Sequence, residues 1–246
     1  MKIVGFMVVG PGEERLRPVL EQRKELVDDM VICGNNTDEK TEQLIKKYGF
    51  WFYRDDREWG IYQPSIKQGL LERVGRLQPD WILASDADEL YDSRFTKIAA
   101  QELARNDVFG YFFAIINLWN DEEHYNHTRS FWNIRFWNYR KTKEIDLHFE
   151  KKNVHCGLAP RIVYKYGVEA PFLLKHYGLM KPEDRKKKVE RYKKYDPKHV
   201  FKGTEFYDSI DDTKKTNDLI RKFDEDEMHQ RVVRDVEKHG KKIRTI

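Results

Sequence analysis

Residues Pro79 to Asp92 read PDWILASDADELYD, an apolar run that ends directly in three carboxylates, Asp86, Asp88 and Glu89. Trp81 to Ala84 has the composition of a buried strand. Residues two apart on a strand project to the same side, so Asp86 and Asp88 can point together while Ala87 faces away. Carboxylates crowded in this way repel one another unless a cation or hydrogen-bond donors compensate. Oxygen-only ligands favour Mg²⁺ or Mn²⁺ over Zn²⁺, and such ions keep their remaining positions for water and phosphates. In parallel α/β sheets ligands bind beyond the carboxyl ends of the strands. The stretch therefore reads as a cation site whose natural guest is a nucleoside diphosphate. The bland alternative is a polar turn that caps a helix near Thr96.

A second D-x-D in the chain shows that spacing alone means little. FDEDEMHQ holds Asp224-Glu225-Asp226, but it reads as helix, where residues two apart diverge by about 200°.

The chain around these motifs is globular. Its 246 residues are 36% charged and 13% aromatic, a wet surface around an aromatic core. That length suits one large domain or two tightly joined halves. Cys33 and Cys156 lie far apart and form no C-x-x-C, which argues against a disulfide framework or a zinc site and suits a reducing, cytoplasmic setting. MKIVGFMVVG reads as a first core strand rather than a signal peptide. No apolar run approaches the roughly 18 residues that span a bilayer, which leaves peripheral membrane contact open. The formal charge of +4 is uneven, concentrated in KPEDRKKKVERYKKYDPK (Lys181 to Lys198) and in the tail KHGKKIR. Such runs attract phosphates, nucleic acid or acidic lipid, although most are solvated helix faces.

Apolar β-rich runs alternate with helical patterns through the first hundred residues, the signature of stacked β-α units. Strands are expected at Ile3 to Val9, Met30 to Cys33, Phe50 to Tyr53 and Trp81 to Ala84. Helices are expected from Pro18 to Val27, over TDEKTEQLIKKYG with Gly49 as its stop, and from QPSIKQGLLERV with Pro64 in its first turn. Beyond Val108, VFGYFFAIINLWN and SFWNIRFWNYR read as neighbouring strands separated by the polar DEEHYNHT. RIVYKY and FLLKHY read as shorter strands. From Pro182 the chain reads as helical and charged, with Ile220, Phe223, Val232 and Val236 as a thin apolar stripe.

In this order, KIVGFMVVG, VICGNNTDEKT, WILASDADELY and LLKHYG before a basic helix resemble a family 2 glycosyltransferase with the GT-A fold. The resemblance spans roughly residues 1 to 180. It implies an α/β fold with a Rossmann-like, mostly parallel central sheet flanked by helices. Residues 1–105 would form the nucleotide-sugar-binding half, 106–180 the acceptor-binding half, and 181–246 a helical, charged extension. By the same resemblance Asp88 binds Mn²⁺ or Mg²⁺, and Asp86 binds the ribose or a metal-bound water. Gly10 and Asn35 belong to the donor site, and Lys67 stands where the family often carries an arginine facing the diphosphate. A cation there suits the charge that gathers on the leaving group, whereas an exposed helix lysine is the bland reading.

The chain departs from the family at the nucleobase loop. Cys33 and Gly34 occupy the place of the aspartate that contacts uracil, so the donor is a UDP- or other NDP-sugar.

Transfer with inversion also needs a base for the acceptor hydroxyl, whether of a saccharide or another acceptor. The resemblance asks for a carboxylate from the second half. The candidates are Asp121, with Glu122 and Glu123 beside it, and Asp146 or Glu150; Asp121 and Glu150 are preferred. A His-Glu pair fails here, because His155 is followed by Cys156. His176 in LLKHYG would ordinarily be a satisfied core histidine; the resemblance makes it a further metal or diphosphate contact, with His155 a weaker second. Trp119, Trp132 and Trp137 suit either a stacking wall for the acceptor or core packing.

Two rival functions fit less well. A nucleotidyltransferase would need a basic phosphate loop after the first strand, where GPGEERLR carries two glutamates. A nucleic-acid-binding module would use the basic C-terminal helices alone.

Overall fold

Parallel strands are covered on both faces and so read as unbroken apolar runs. β1 (Ile3–Val9) is such a strand, buried along almost its whole length in the computed structural model, which describes residues 1–12, 14–151, 156–198, 210 and 219–239. α1 (Leu16–Leu26) leads to β2 (Asp29–Gly34), α2 (Glu39–Lys47) to β3 (Trp51–Arg54), and α3 (Trp59–Arg76) to β4 (Trp81–Asp86). β1 pairs in parallel with both β2 and β4, and β2 with β3. The order β3-β2-β1-β4 therefore reverses at β1, and this switch point lies where Val8 and Asp86 are register partners. All four strands fall where the apolar runs place them.

β5 (Glu89–Tyr91) follows β4 after a two-residue turn, and Thr96 caps α4 (Lys97–Leu103) by accepting from the Ala99 amide. The second half comprises β6 (Gly110–Trp119), β7 (Asp121–Asn126), β8 (Phe131–Asn138), α5 (Tyr139–Lys143), α6 (Arg161–Tyr166) and β9 (Val168–His176). α7 (Pro182–Tyr195), β10 (Ile220–Lys222) and α8 (Glu225–His239) complete the described chain. β8 lies antiparallel between β4 and β6, and β9 runs parallel to β6. β1 to β4, β6 and β9 consequently all point the same way. β5 is antiparallel to β9, with Glu89 opposite His176.

One core fills each side of this sheet. Trp81 stacks on Phe136 at 4.6 Å on one side, and Trp137 and Ile66 pack on the other. Each fully buried large apolar side chain contributes about 1.5–3 kcal/mol.

Tertiary context overrides local pattern in four places. RIVYKY forms α6 rather than a strand: Pro160 stands at its N-cap and only Val163 is buried. DEEHYNHT is not a mere separator, because β7 runs through it as a polar strand paired with β6 on one side and β10 on the other. Ile220 thus sits on β10, not on a helical stripe. α3 opens at Trp59, a turn before Pro64, because Gly60 lets the helix start lie against the Tyr195 ring; a Cβ on Gly60 would stand 2.1 Å from that ring. FDEDEMHQ behaves as its pattern demands: Asp224 accepts from the Glu227 amide and opens α8. Among the described residues no helix is long and apolar enough to cross a membrane.

Candidate functional site

The end of β4 holds the first part of the site. Asp86 is the last strand residue, whereas Asp88 lies in the turn and Glu89 begins β5. Glu89 is 1% exposed and faces Arg135 of β8 as a two-pronged pair, Nε to Oε2 at 2.7 Å and Nη2 to Oε1 at 2.5 Å. Its Oε2 also accepts the Asp86 amide at 3.0 Å. Burial opposes its charged form, but the guanidinium outweighs burial and holds this carboxyl below the usual range. Glu89 is the brace of the turn. Arg135 reaches on to Asp86 at 3.6 Å, and the Asp86 side chain stays 48% exposed. The surrounding protein mass, and next the Glu89 charge, raise the Asp86 pKa above the ordinary carboxylate value.

The second part comes from the end of β9. The Asn117 amide nitrogen donates to the Arg129 carbonyl, which turns its Oδ1 toward His176. His176 Nδ1 donates to that oxygen at 2.5 Å, so Nε2 is left facing Asp88 Oδ2 at 3.3 Å. Burial again opposes the charged form of Asp88, but its pairing with His176 prevails and drives its carboxyl far below the usual range. Gly178 touches both partners: a Cβ there would stand 2.1 Å from Asp88 Oδ2 and 2.8 Å from His176 Nε2. Asp88 Oδ2, His176 Nε2 and the bare Cα of Gly178 together frame a small polar cradle. Among the described residues no three His, Cys, Asp or Glu side chains cluster tightly enough to enclose an ion. A carboxylate oxygen and an imidazole nitrogen could together hold a divalent ion such as Mn²⁺, with water and phosphate in its remaining positions.

Both parts face a cleft of about 1220 Å³ whose walls include Gly10, Asn35, Lys67, Asp86, Asp88 and His176. Gly10, Asn35, Lys67, Asp86, Asp88 and His176, the described donor-site and metal candidates of the sequence, thus share one surface. Lys67 is not an exposed helix lysine. It is 2% exposed and its ammonium donates to the Cys156 carbonyl at 2.5 Å and the Gly157 carbonyl at 3.0 Å. Burial lowers its pKa, while Asp86 is among the groups that support its charge. Asn35 donates to the Asp55 and Arg57 carbonyls and so shapes the loop after β3. Cys33 is fully buried.

α7 forms another wall. Pro182 opens it, Glu183 and Asp184 occupy its first turn, and Lys193 and Lys194 its last, which matches the helix dipole. At one end Arg185 donates to the Leu179 and Met180 carbonyls and covers the Trp119 ring at 4.2 Å. At the other end Tyr195 and Lys194 both reach Glu58 Oε1.

The two base candidates do not share this surface. Asp121 Oδ1 engages His124 and the Glu123 amide at the exposed start of β7. Glu150 is exposed and is likewise absent from the cleft wall. Trp119 and Trp137 are core residues, whereas Trp132 is partly buried. His155 lies outside the described residues. Sequence reasoning missed Arg135, Asn117 and Gly178. The available signal for Arg135 was a lone arginine inside the aromatic run FWNIRFWN, since a buried cation must have a partner.

The strand order, the cleft at its switch point and the carboxylate turn define an α/β protein of the GT-A type. Solved structures share this architecture. Residues 1–349 of TarS from S. aureus in complex with UDP align with a TM-score of 0.54 at 12% identity, over 86% of this chain and 70% of that one. A longer TarS structure aligns with a TM-score of 0.53 at 12% identity, over 85% of this chain. The chain spans 42% of the length of that longer TarS chain. At such identity the likeness is one of fold. No protein-family model matches the chain, and no curated protein matches it.

Proposed function

We propose that the chain is a metal-dependent glycosyltransferase that moves a sugar from a nucleoside-diphosphate donor to an acceptor hydroxyl, with inversion. The observation that carries this reading is the Asp88–His176 cradle, closed by Gly178, at the carboxyl ends of β1 and β4. The UDP bound to TarS, a protein of the same fold, supports a nucleotide in this cleft.

Asp88 and His176 would hold Mn²⁺ or Mg²⁺, with Asp86 beside them for the ribose or a metal-bound water. The ion would neutralise charge gathering on the leaving diphosphate. Arg135, fixed by Glu89, orients Asp86. Lys67 ties the segment at Cys156 and Gly157 to α3 and adds positive potential below the donor. Glu190 on α7 is the described cleft-wall carboxylate outside the Asp86–Glu89 turn, and we assign it, in place of Asp121 or Glu150, to accept the proton of the attacking hydroxyl.

The test is a panel of nucleotide-sugars incubated with Mn²⁺ or Mg²⁺ and assayed for released product. Nucleoside diphosphate is expected. Release of pyrophosphate from a nucleoside triphosphate instead would assign the cleft to nucleotidyl transfer.

A further inference from the structure

We infer that Arg23 is a positioning residue for the cation held at Asp88: from α1 its guanidinium grips the residues on either side of Asp86-Ala87-Asp88 and sets where the turn presents Asp88 to His176. This rests on the metal reading above and adds a group that touches neither metal nor substrate.

A strand edge creates the need. β5 bonds to β9 through its even-numbered residues: the Asp88 carbonyl accepts from the Tyr177 amide at 2.9 Å, and the Asp92 amide donates to the Leu173 carbonyl at 3.0 Å. Glu89 and Tyr91 therefore turn their backbone groups the other way. Among the described residues β5 pairs with β9 alone, and backbone groups on a buried edge need partners from elsewhere. Two neighbours on α1 supply them. Gln22 accepts from the Tyr91 amide at 2.9 Å and donates to the Tyr91 carbonyl at 2.8 Å, as an adjoining strand would. Arg23 Nη2 donates to the Glu89 carbonyl at 2.8 Å.

A neutral donor would satisfy that carbonyl equally well, but Arg23 does more. Its Nε donates to Ser85 Oγ at 3.1 Å and its Nη1 to Gln22 Oε1 at 2.6 Å. Ser85 immediately precedes Asp86 and Glu89 immediately follows Asp88. One planar, rigid fork thus spans the turn and holds both of its ends. Arg23 is fully buried and all three bonds go to neutral oxygens. Burying a cation on such partners is costly, so packing alone would favour an apolar residue here. The Tyr91 ring, 4.3 Å from the guanidinium, offsets part of that cost. Its hydroxyl donates to the Ala84 carbonyl at 3.2 Å and ties the same ring to β4. Two buried guanidinium groups therefore fix Glu89, Arg135 through its side chain and Arg23 through its main chain. Metal–ligand distances tolerate only about 0.2 Å, so a slackened turn is felt at the cation before it is felt by the fold.

The test titrates Mn²⁺ by calorimetry into the full chain held with UDP, and takes a urea midpoint for each variant. Arg23→Gln is expected to weaken Mn²⁺ binding about tenfold, the lower end for outer groups that orient metal ligands. Ser85→Ala, which frees one end of the turn, is expected to fall between wild type and Arg23→Gln. The double variant is expected to lose no more than Arg23→Gln alone, because the two side chains act as a unit. Leu20→Ala, a buried apolar position of the same helix, is expected to lower the urea midpoint and keep the wild-type Mn²⁺ affinity. Wild-type affinity in Arg23→Gln would overturn the inference, as would an equal loss in Leu20→Ala. Should Arg23→Gln not fold, Ser85→Ala decides: weakened Mn²⁺ binding supports the inference and wild-type binding overturns it. A wild-type chain that takes up no Mn²⁺ with UDP would instead sink the metal reading, and this step with it.

Discussion

His176 Nε2 stands 3.3 Å from Asp88 Oδ2, with Gly178 in contact with both. The two residues meet because β5 pairs with β9, which places Glu89 opposite His176. Gly178→Ala inserts a methyl group into the space between them. Outer groups that position metal ligands typically carry about 10–100-fold in metal affinity, and a loss of that size is expected for Mn²⁺-dependent nucleotide binding. Titration of Mn²⁺ at fixed nucleotide measures it, and circular dichroism checks that the fold persists. Unchanged Mn²⁺ affinity would contradict the cradle.

Asn117→Leu removes the acceptor that orients His176. A loss of about 10–100-fold in metal affinity is again expected. Asn117→Asp, which keeps an oxygen at the same place, should retain more of the wild-type affinity than Asn117→Leu.

Glu89→Ala leaves the Arg135 guanidinium buried without its main partner. Removing one member of a buried pair costs about 3–5 kcal/mol, which urea denaturation will read as a lowered midpoint. The double variant Glu89→Gln/Arg135→Met should recover part of the loss. A midpoint within the error of wild type for Glu89→Ala would show that the brace is not structural.

Cys33 is buried, and burial pushes its thiol up to about 11. The thiolate is the nucleophile in alkylation. Native protein at pH 8 is therefore expected to leave Cys33 unmodified by iodoacetamide over the time in which guanidinium-unfolded protein reacts fully. Mass spectrometry of the peptide containing Cys33 distinguishes the two outcomes.

Glu190→Gln removes the carboxylate assigned to the acceptor hydroxyl. General bases contribute about 10²–10⁴-fold to rate, so kcat is expected to fall within that range while donor KM stays close to wild type. An unchanged kcat would remove Glu190 from the reaction.

The fold was legible where burial is two-sided. β1, β2 and β4 are apolar on both faces, so their runs stood out without help from context. β7 and α6 were not legible. The polar β7 is a strand because β6 and β10 flank it, and α6 is a helix despite its β-branched and aromatic residues. The motif residues Asp86, Asp88 and His176 were visible singly, but their meeting is a product of strand pairing. Asp121 lies off the cleft wall for a reason the sequence did not show. It follows β6 as a strand-end acid should, yet Asn120 adopts a left-handed φ of 72° and the chain turns there into the β7 hairpin. Asn117 and Arg135 gave little local signal because their partners, His176 and Glu89, are distant in sequence.

The central claim, a metal-dependent nucleotide site at Asp88, is tested most directly by thermal unfolding with a nucleotide-sugar panel, with and without Mn²⁺, for wild type and Asp88→Asn. A ligand at a hundredfold excess over its Kd adds about 2.7 kcal/mol, or a rise of ~5–10 °C in Tm for a chain of this size. Such a rise is predicted for wild type only when metal and nucleotide are both present, and none for Asp88→Asn. Stabilisation of Asp88→Asn equal to wild type, or no stabilisation of wild type by any nucleotide, would contradict the account.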